Sequence, residues 1–422
     1  MGITSGVLCA LIYQRTQEPA LDVDLRQYAE VRDFVHGNFV KPIDRQEILD
    51  RALHGMARSL DPYSRFYDSE ESAQLENETA GNYRGIGIVM RRMSGKQRVL
   101  FCMPSSPAHD AGLRPGDELV RIDGDAVADL DSATFSKRLR GVGGSSVDLH
   151  VAHLDGSTLD AKIERSLVVN PSVRHAEMLK DTPDIAYMSI HTFSRRTADE
   201  FDQAMAALGA QGMNGLILDL RGNLGGVMEA SLAIARRFIP DGLLLRTEGK
   251  SQVETHHANL EEATWKDLPL VVLVDGDSAS ASEILAGALQ DHRRAAVVGM
   301  PTYGKGMVQT IRRFPEFGTK VKVTSAYYYT PSGRLFERSS EEGLEHGLVP
   351  DVQIELDSSA RRAVSGYLAS YGAPMEARAA IQAWEQQDGI SVMPLVPRKA
   401  HLKAALDLLQ GRLPTIERTA QR

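Results

Sequence analysis

The pattern of apolar and polar positions changes several times along the chain. Between residues 24 and 58, apolar residues recur every three to four positions, which predicts helices. From residue 83 to about 166, short strand-like runs are separated by glycine-containing turns, which predicts a small β-rich module. From 184 to 354, continuous apolar runs alternate with helical periods, and this order predicts an α/β domain with largely parallel central strands. The tail 356–422 is helical and polar in pattern.

These changes predict a multidomain α/β protein in which a β-rich module and an α/β core are flanked by helices. The apolar run at the N-terminus is about a dozen residues long, too short for a standard membrane span, and it lacks a basic leading region. Its assignment to a signal or anchor remnant therefore stays open. The boundaries that we assign are 1–22 for that remnant, 23–78 for an N-terminal helical region, 79–168 for the β-rich module, 169–356 for the α/β core and 357–422 for a C-terminal helical tail.

Composition and charge exclude several classes of protein. The 422 residues are 42% hydrophobic and 25% charged, which is ordinary for a globular protein. The net charge of -8 argues against a nucleic-acid partner. The two cysteines, Cys9 and Cys102, cannot form a disulfide scaffold, and Cys102 lies in the strand-like RVLFCMP, where a buried, unreactive thiol is expected. No H-E-x-x-H motif is present, and we predict neither a metal nor a cofactor.

Three serines alternate with alanines in VDGDSASASEI, residues 274–284. They follow the buried strand predicted from LPLVVLV and precede a helix, so they lie where ligand sites of α/β sheets collect. Ser280 and Glu283 fit a capping box, and this pattern alone predicts only a helix start. The same position suits a nucleophile, because the N-terminus of a helix offers free N–H groups to a developing oxyanion.

A nucleophilic serine needs a base, and Lys305 is the better candidate in this sequence. His292 lies at the other end of the helix that begins after Ser280, about 18 Å away at about 1.5 Å per residue. Lys305 stands between two glycines, and the apolar residues after it are expected to remove competing charge, as a neutral lysine requires. Gln309 follows four residues later and is expected to return to the same face, where its amide would orient the lysine.

A glycine-rich turn in LILDLRGNLGG ends a second buried strand. Gly222, Gly225 and Gly226 expose backbone N–H groups there, which suits an oxyanion hole. Two alternatives stay open at this point. The turn simply requires positive φ, or it cradles a phosphate, although G-x-G-x-x-G and a G-K-[ST] ending are both absent.

Over roughly residues 30–355 the chain resembles the carboxyl-terminal processing proteases, also called tail-specific proteases. The resemblance rests on motifs that occur in the right order, namely LDPYSRFY, YRGIGI, AGLRPGDELVRIDG, LILDLRGNLGG, DGDSASASEI, GKGMVQT, YYYTPSGR and HGLVPD. It implies a serine–lysine dyad with Ser280, rather than either neighbouring serine, as nucleophile and Lys305, 25 residues later, as base. Gln309 would support the lysine. Asp291 matches an acid that some relatives need, and its place near a helix end favours a structural role.

The resemblance also implies an oxyanion hole formed by the backbone N–H groups of Ala281 and Gly226, with Gly225 as the less favoured alternative to Gly226. This chain has Leu224 where the family pattern usually has proline, which puts the rigidity of the loop in doubt.

The β-rich module resembles a PDZ domain through YRGIGI and AGLRPGDELVRIDG. The glycines would let backbone N–H groups converge on a terminal carboxylate, and the neighbouring strand edge would accept an extended peptide. Arg140 matches a residue that couples this domain to the active site in some relatives, and a solvated arginine at a helix end is the alternative. The residues predicted to bind peptide are Tyr83, Arg84, Gly85, Ile86, Gly87 and Ile88.

The function expected from this resemblance is that of a serine endopeptidase that selects proteins or peptides by their free C-termini and cleaves them through an acyl-enzyme. Two alternatives are a PDZ scaffold with an inactive protease-like core and an enzyme with an acyl-CoA hydratase-like fold. The resemblance further implies a periplasmic or otherwise extracytoplasmic location. Self-association through the helical flanks and a membrane anchor at the N-terminus are further expectations.

Overall fold

The computed structural model describes residues 23–141, 143–337, 347–393, 396–397 and 400–411. The signal or anchor remnant expected at 1–22, including Cys9, lies outside these residues. Within them, none of the helices combines the length and the apolar character that a membrane span requires. The described residues divide into two compact units, a smaller one of residues 23–72 and 309–324 and a larger one that takes in the described residues of 73–308 and 325–411.

Helices occupy the N-terminal part, the core and the tail, as the sequence predicts. They are α1 Val23–Asn38, α2 Arg45–Arg58, α3 Ser69–Thr79, α4 Pro107–Asp110, α5 Ser132–Leu139, α6 Thr197–Gly209, α7 Met228–Phe238, α8 Ala281–Asp291, α9 Ser358–Leu368, α10 Met375–Asp388 and α11 Ala400–Leu409.

Strands are concentrated between the first and last helices. They are β1 Arg65–Tyr67, β2 Asn82–Gly85, β3 Ile88–Met93, β4 Lys96–Cys102, β5 Glu118–Ile122, β6 Asp125–Ala126, β7 Ser146–Ala152, β8 Thr158–Glu164, β9 Ser166–Val169, β10 Val173–Leu179, β11 Thr182–Ile190, β12 Gly215–Asp219, β13 Leu243–Gly249, β14 Val253–His257, β15 Leu270–Val274, β16 Ala296–Gly299, β17 Met307–Phe314, β18 Thr319–Tyr329 and β19 Val352–Gln353.

The smaller unit combines α1 and α2 with a short antiparallel sheet. β1 pairs with the first part of β18, placing Phe66 opposite Val321. The turn expected at Asp61 is present, because its carboxylate accepts the N–H groups of Tyr63 and Ser64 at 2.7 and 2.8 Å. These bonds hold the chain in position to begin β1.

The β-rich module belongs to the larger unit and is built on a sheet of order β3-β4-β5-β7-β8. Alternating residues of these strands, such as Val147, Leu149 and Val151, point inward and are buried. β2 precedes the sheet of the module in sequence and β9 follows it. The two strands pair as an antiparallel ribbon that connects the module to the core. Cys102 is free and is buried in this module as expected, and burial raises its pKa to about 12.

The core of the larger unit is the predicted α/β sheet, in the order β10-β11-β12-β15-β16-β19. The pairs from β11 to β19 are parallel and only β10 runs antiparallel. Helices α6, α7 and α8 cover one face of this sheet and α9 and α11 cover the other. The central strands β12 and β15 are completely buried, which explains their continuous apolar runs.

The C-terminal helices pack on both parts of the larger unit. Leu368 of α9 and Leu402 of α11 join the core beneath the parallel sheet. Ile381 and Trp384 of α10 instead pack against Phe101 in the β-rich module. The polar tail expected from the sequence therefore contributes buried side chains to two hydrophobic clusters.

Candidate active site

The candidate site lies at the carboxyl ends of three neighbouring parallel strands. β11, β12 and β15 are in register there, with Ser189 opposite Asp219 and Asp219 opposite Leu273. The loops that follow these strands are 191–196, 220–227 and 275–280. The serine motif and the glycine-rich turn are therefore brought together by the topology of the sheet.

The three serines of the motif have different environments. Ser278 is fully buried; its hydroxyl donates to the carbonyl of Leu220 at 2.9 Å and accepts the N–H of Asp275 at 3.0 Å. Ser282 is also fully buried and donates to the carbonyl of Asn223 at 2.9 Å. Both hydroxyls fasten the serine loop to the glycine loop. Ser280, between them, is half-buried and reaches the surface of the site.

Ser280 occupies a strained turn between strand and helix. Its φ of 56° and ψ of -115° lie outside the regions that side-chain-bearing residues normally adopt, at a typical cost of about 1–3 kcal/mol. The turn is held by hydrogen bonds on both sides, from the Ser280 N–H to Glu283 at 2.7 Å and from the Ala279 N–H to the carbonyl of Asn223 at 3.0 Å. This places Ser280 at the N-terminus of α8.

Glu283 connects the serine loop to the lysine loop. One carboxylate oxygen accepts the backbone N–H groups of Ser280 and Lys305 at 2.7 and 2.9 Å. The other oxygen accepts the Gly304 N–H at 2.8 Å and the Thr302 hydroxyl at 2.6 Å. Burial raises the pKa of Glu283, and these four hydrogen bonds oppose that shift. The sequence identified Glu283 only as a capping residue and missed its second role.

Lys305 is half-buried and lies two residues before the start of β17. The Glu337 carboxylate lies beside the lysine loop, where it accepts the N–H of Gly306, the residue after Lys305, at 3.1 Å. Burial raises the pKa of Glu337, while this N–H and the charge of Lys305 oppose the shift. The expectation that little competing charge surrounds Lys305 is therefore wrong, because Glu337 and the buried Glu283 both face this loop.

The glycine loop approaches the serine loop too closely for side chains. A Cβ on Gly225 would lie 2.8 Å from the Ala279 carbonyl oxygen and 2.8 Å from the Ser280 Cβ. Gly225 and Gly226 also have φ values of 98° and 142°, so the expected need for positive φ is confirmed. In the described part of the chain, the N–H groups of Gly226 and Ala281 donate no hydrogen bond. Both are available to an oxyanion.

A buried ion pair anchors the base of the glycine loop. Arg221 and Asp219 are almost completely buried, and the carboxylate also accepts the Tyr187 hydroxyl at 2.7 Å. Burial alone would lower the pKa of Arg221, but the Asp219 carboxylate raises it above its ordinary value. The guanidinium is thus buried and paired with Asp219, which argues against the alternative of a phosphate cradle in this loop.

Asp291, the secondary candidate, has structural contacts. As the last residue of α8 it lies about 16 Å from Ser280 along the helix axis. Its carboxylate accepts the Ser332 N–H and hydroxyl at 2.9 and 2.7 Å and forms an ion pair with Arg334. Gln309 is the third residue of β17, and its support of Lys305 stays a prediction.

A cavity of about 1080 Å³ opens beside the β-rich module. Its lining includes residues of β3 and α5 from the module, and residues of α9 and the two residues after β11, His191 and Thr192, from the core. Arg140 also lines it and lies over the Tyr83 ring at 5.7 Å. Of the six predicted peptide-binding residues, those that line the cavity are Tyr83, Ile86, Gly87 and Ile88, whereas Arg84 and Gly85 belong to β2 outside it.

Comparisons with known proteins agree with both parts of the larger unit. The profile of peptidase family S41 matches residues 184–354, and a PDZ domain profile matches residues 102–152. A carboxy-terminal-processing protease of Bartonella bacilliformis is 31% identical over 92% of this chain and 89% of that protein. The carboxy-terminal processing protease CtpA of Bacillus subtilis is 32% identical over 78% of this chain and 68% of that protein. A solved photosystem II D1 C-terminal processing protease is 31% identical, with a TM-score of 0.45 over 78% of this chain and 86% of that one.

Proposed function

Because this chain belongs to the carboxy-terminal processing proteases of peptidase family S41, we propose that Ser280 is its nucleophile and Lys305 its general base. The chain is a serine-type peptidase that carries a PDZ domain and acts on protein or peptide substrates. Family membership supports a peptidase and argues against hydratase activity. The presence of both Ser280 and Lys305 argues against an inactive scaffold.

The observation that carries the assignment is the difference between the three serines of the motif. The hydroxyls of Ser278 and Ser282 are buried in hydrogen bonds to the glycine loop. Ser280 reaches the surface in a strained turn next to Ala281, and the loop that carries Gly226 approaches it closely at Gly225. A serine placed in this way meets the geometric needs of a nucleophile with an oxyanion hole.

The reaction would proceed through an acyl-enzyme. Neutral Lys305 takes the hydroxyl proton of Ser280 as the oxygen attacks the scissile carbonyl carbon, and the two N–H groups stabilise the oxyanion. One such donor is typically worth about 3 kcal/mol. The protonated lysine then gives its proton to the leaving amine as the peptide bond breaks. Water, activated by Lys305, hydrolyses the ester and regenerates Ser280.

We further propose that the cavity beside the PDZ domain selects substrates by their C-termini. β3 is an edge strand of its sheet, so an extended peptide can add to it in the cavity. The half-buried Ile88 supplies an apolar surface there, with the buried Ile86 close to it in the lining, which favours an apolar last residue. Binding of a free-acid peptide and its C-terminal amide tests this role, and equal affinities would contradict it.

The experiment that tests the catalytic assignment compares Ser280→Ala with Ser251→Ala, a serine exposed on the loop between β13 and β14. Both variants should have the wild-type circular dichroism spectrum. Only Ser280→Ala should lose cleavage of a denatured protein substrate. Wild-type cleavage by Ser280→Ala would overturn the assignment.

A periplasmic or otherwise extracytoplasmic location is also proposed, and it is supported by the family resemblance alone. Fractionation of cells that produce the full chain with a C-terminal tag tests it. Recovery of the tagged chain in the cytoplasmic fraction would contradict it.

A further inference from the structure

One peptide group links the candidate oxyanion hole to the neighbouring loop. The carbonyl of Gly225 accepts two hydrogen bonds, from the Phe193 N–H at 3.0 Å and from the Thr192 hydroxyl at 3.2 Å. In a planar trans peptide, the C=O of one residue and the N–H of the next point in opposite directions. The two bonds to the Gly225 carbonyl therefore also fix the direction of the Gly226 N–H.

This peptide group needs external support because it lies between two glycines. Without Cβ atoms, both residues tolerate several combinations of φ and ψ, so the peptide plane can rotate at low cost. The backbone on either side is already held, since the Gly225 N–H donates to Asn223 at 2.9 Å and the Val227 N–H donates to Phe193 at 2.8 Å. The bonds to the Gly225 carbonyl therefore determine the orientation of the peptide plane between Gly225 and Gly226.

Thr192 supplies the one side-chain bond to this carbonyl in the described part of the chain, and it also lines the cavity beside the PDZ domain. It follows β11 by two residues and is half-buried, with Arg140 and Ile86 among the other residues around the same cavity. A single residue thus contacts the space where a peptide would bind and the carbonyl that orients the oxyanion donor.

We propose that Thr192 is a positioning residue for the oxyanion hole, and that its place in the cavity wall makes this positioning sensitive to a bound peptide. The proposal rests on the proposed function, because it takes Gly226 as an oxyanion donor. Thr192 itself does not touch the reacting atoms. A peptide that settles Thr192 in its bonded rotamer would raise the fraction of molecules with a complete oxyanion hole.

The test uses Thr192→Val, which removes the hydroxyl at nearly constant volume, and Thr192→Ser, which keeps it. For a free-acid peptide substrate, Thr192→Val should lower kcat by about ten- to a hundredfold, less than the loss of a donor itself, with little change in KM. The affinity for a peptide aldehyde, whose adduct with Ser280 resembles the tetrahedral intermediate, should fall by a similar factor. Thr192→Ser should stay within about threefold of wild type in both measurements.

A second substrate with an amidated C-terminus tests whether the effect of Thr192 on kcat depends on the cavity. In the wild type the free acid should have the higher kcat, and in Thr192→Val the ratio of the two kcat values should approach one. An equal loss for both substrates would overturn the link to the cavity. A fall in activity that Thr192→Ser fails to restore would overturn the role of the hydroxyl.

The same measurements separate this proposal from the proposed function. If Ser280→Ala keeps wild-type activity, the catalytic assignment itself is wrong. If Ser280→Ala is inactive but Thr192→Val has wild-type kcat and aldehyde affinity, only the role of Thr192 is wrong.

Discussion

The backbone N–H groups of Ser280 and Lys305 donate to one oxygen of the same carboxylate, that of Glu283, at 2.7 and 2.9 Å. The two proposed catalytic residues are 25 positions apart in sequence, and this oxygen holds their main chains together. Because the carboxylate is completely buried, water cannot replace it as an acceptor. The separation of the main chains of the proposed nucleophile and base is thereby set by one side chain.

Glu283→Gln should damage both activity and stability. One carboxylate oxygen accepts three donors, the N–H groups of Ser280 and Lys305 and the Tyr328 hydroxyl at 3.4 Å, and the other oxygen accepts two. Whichever way the amide turns, its NH₂ group therefore faces at least one backbone N–H that then lacks an acceptor. We expect kcat to fall by about a hundredfold, and the free energy of unfolding to fall by about 1–3 kcal/mol. Peptide hydrolysis and urea unfolding measure the two effects.

The matched control for this substitution is Glu261→Gln, which removes a carboxylate from an exposed position. Its kcat and its urea midpoint should equal those of the wild type. If Glu283→Gln also keeps the wild-type kcat, the shared carboxylate does not position the dyad.

Glu337→Gln should move the pH dependence of activity toward lower pH. A carboxylate near Lys305 favours the charged amine, whereas a general base must be neutral. The amide oxygen can still accept the Gly306 N–H, so the local geometry should survive. We expect the acidic limb of the profile of kcat/KM against pH to shift down by about one unit.

Glu316→Gln, on an exposed turn, is the matched control for this removal of charge and should leave the profile unchanged. A shift of the Glu337→Gln profile toward higher pH would show that Glu337 does not act by stabilising the charged amine of Lys305.

Some features of this molecule could be predicted from its sequence because they are local. Buried parallel strands such as β12 and β15 are continuous apolar runs, and the glycine and serine motifs follow them directly. By contrast, β13 and β14 were not predicted. β14 is mostly exposed and β13 mixes buried with half-buried positions, so neither shows a clear period.

The contacts that complete the site could not be predicted in the same way. Glu283 with Lys305, Thr192 with Gly225 and Glu337 with Gly306 join residues that are 22 to 33 positions apart. Such pairs depend on how the loops at the sheet edge meet in three dimensions. The capping-box spacing predicts the hydrogen bond between the Ser280 N–H and Glu283, because these two residues are only three positions apart.

Substitutions of Ser278 and Ser280 should affect stability and activity separately. Ser278→Ala leaves the part-buried Asp275 N–H without its hydroxyl acceptor, so we expect a loss of about 1–3 kcal/mol in unfolding free energy. Below its unfolding temperature this variant should still cleave substrate. Ser280→Ala should show the reverse, with near wild-type stability and no cleavage. Thermal unfolding and peptide hydrolysis on the same samples measure both.

The Ser278→Ala result is interpreted against Ser282→Ala. The carbonyl of Asn223 keeps a bond from the Ala279 N–H after that change, so the loss of stability should be smaller. An inactive but stable Ser278→Ala would place this hydroxyl, too, in the catalytic machinery and would contradict the separation.

Stability should fall between pH 6.5 and 4 because of a buried histidine that joins β10 to the tail. His175 stacks on the Tyr367 ring at 4.1 Å and contacts the Tyr367 carbonyl through Nε2 at 3.2 Å. Burial lowers its pKa from 6.5 to about 4. The unfolded chain therefore binds the proton more readily between these values, and stability is complete above about pH 6.5 and is lost as pH falls toward 4. The cost for this group from pH 7.5 to pH 5 is about 2 kcal/mol.

His175→Gln tests this contribution, since glutamine can still donate to the Tyr367 carbonyl but does not titrate. Urea unfolding at pH 7.5 and pH 5, followed by tryptophan fluorescence, should show a smaller loss of unfolding free energy in the variant than in the wild type. Some dependence on pH should remain, because burial lowers the pKa of His191 to about 4 and also lowers that of His401. Equal losses in the variant and the wild type would mean that His175 is not the group whose protonation destabilises the contact between β10 and α9.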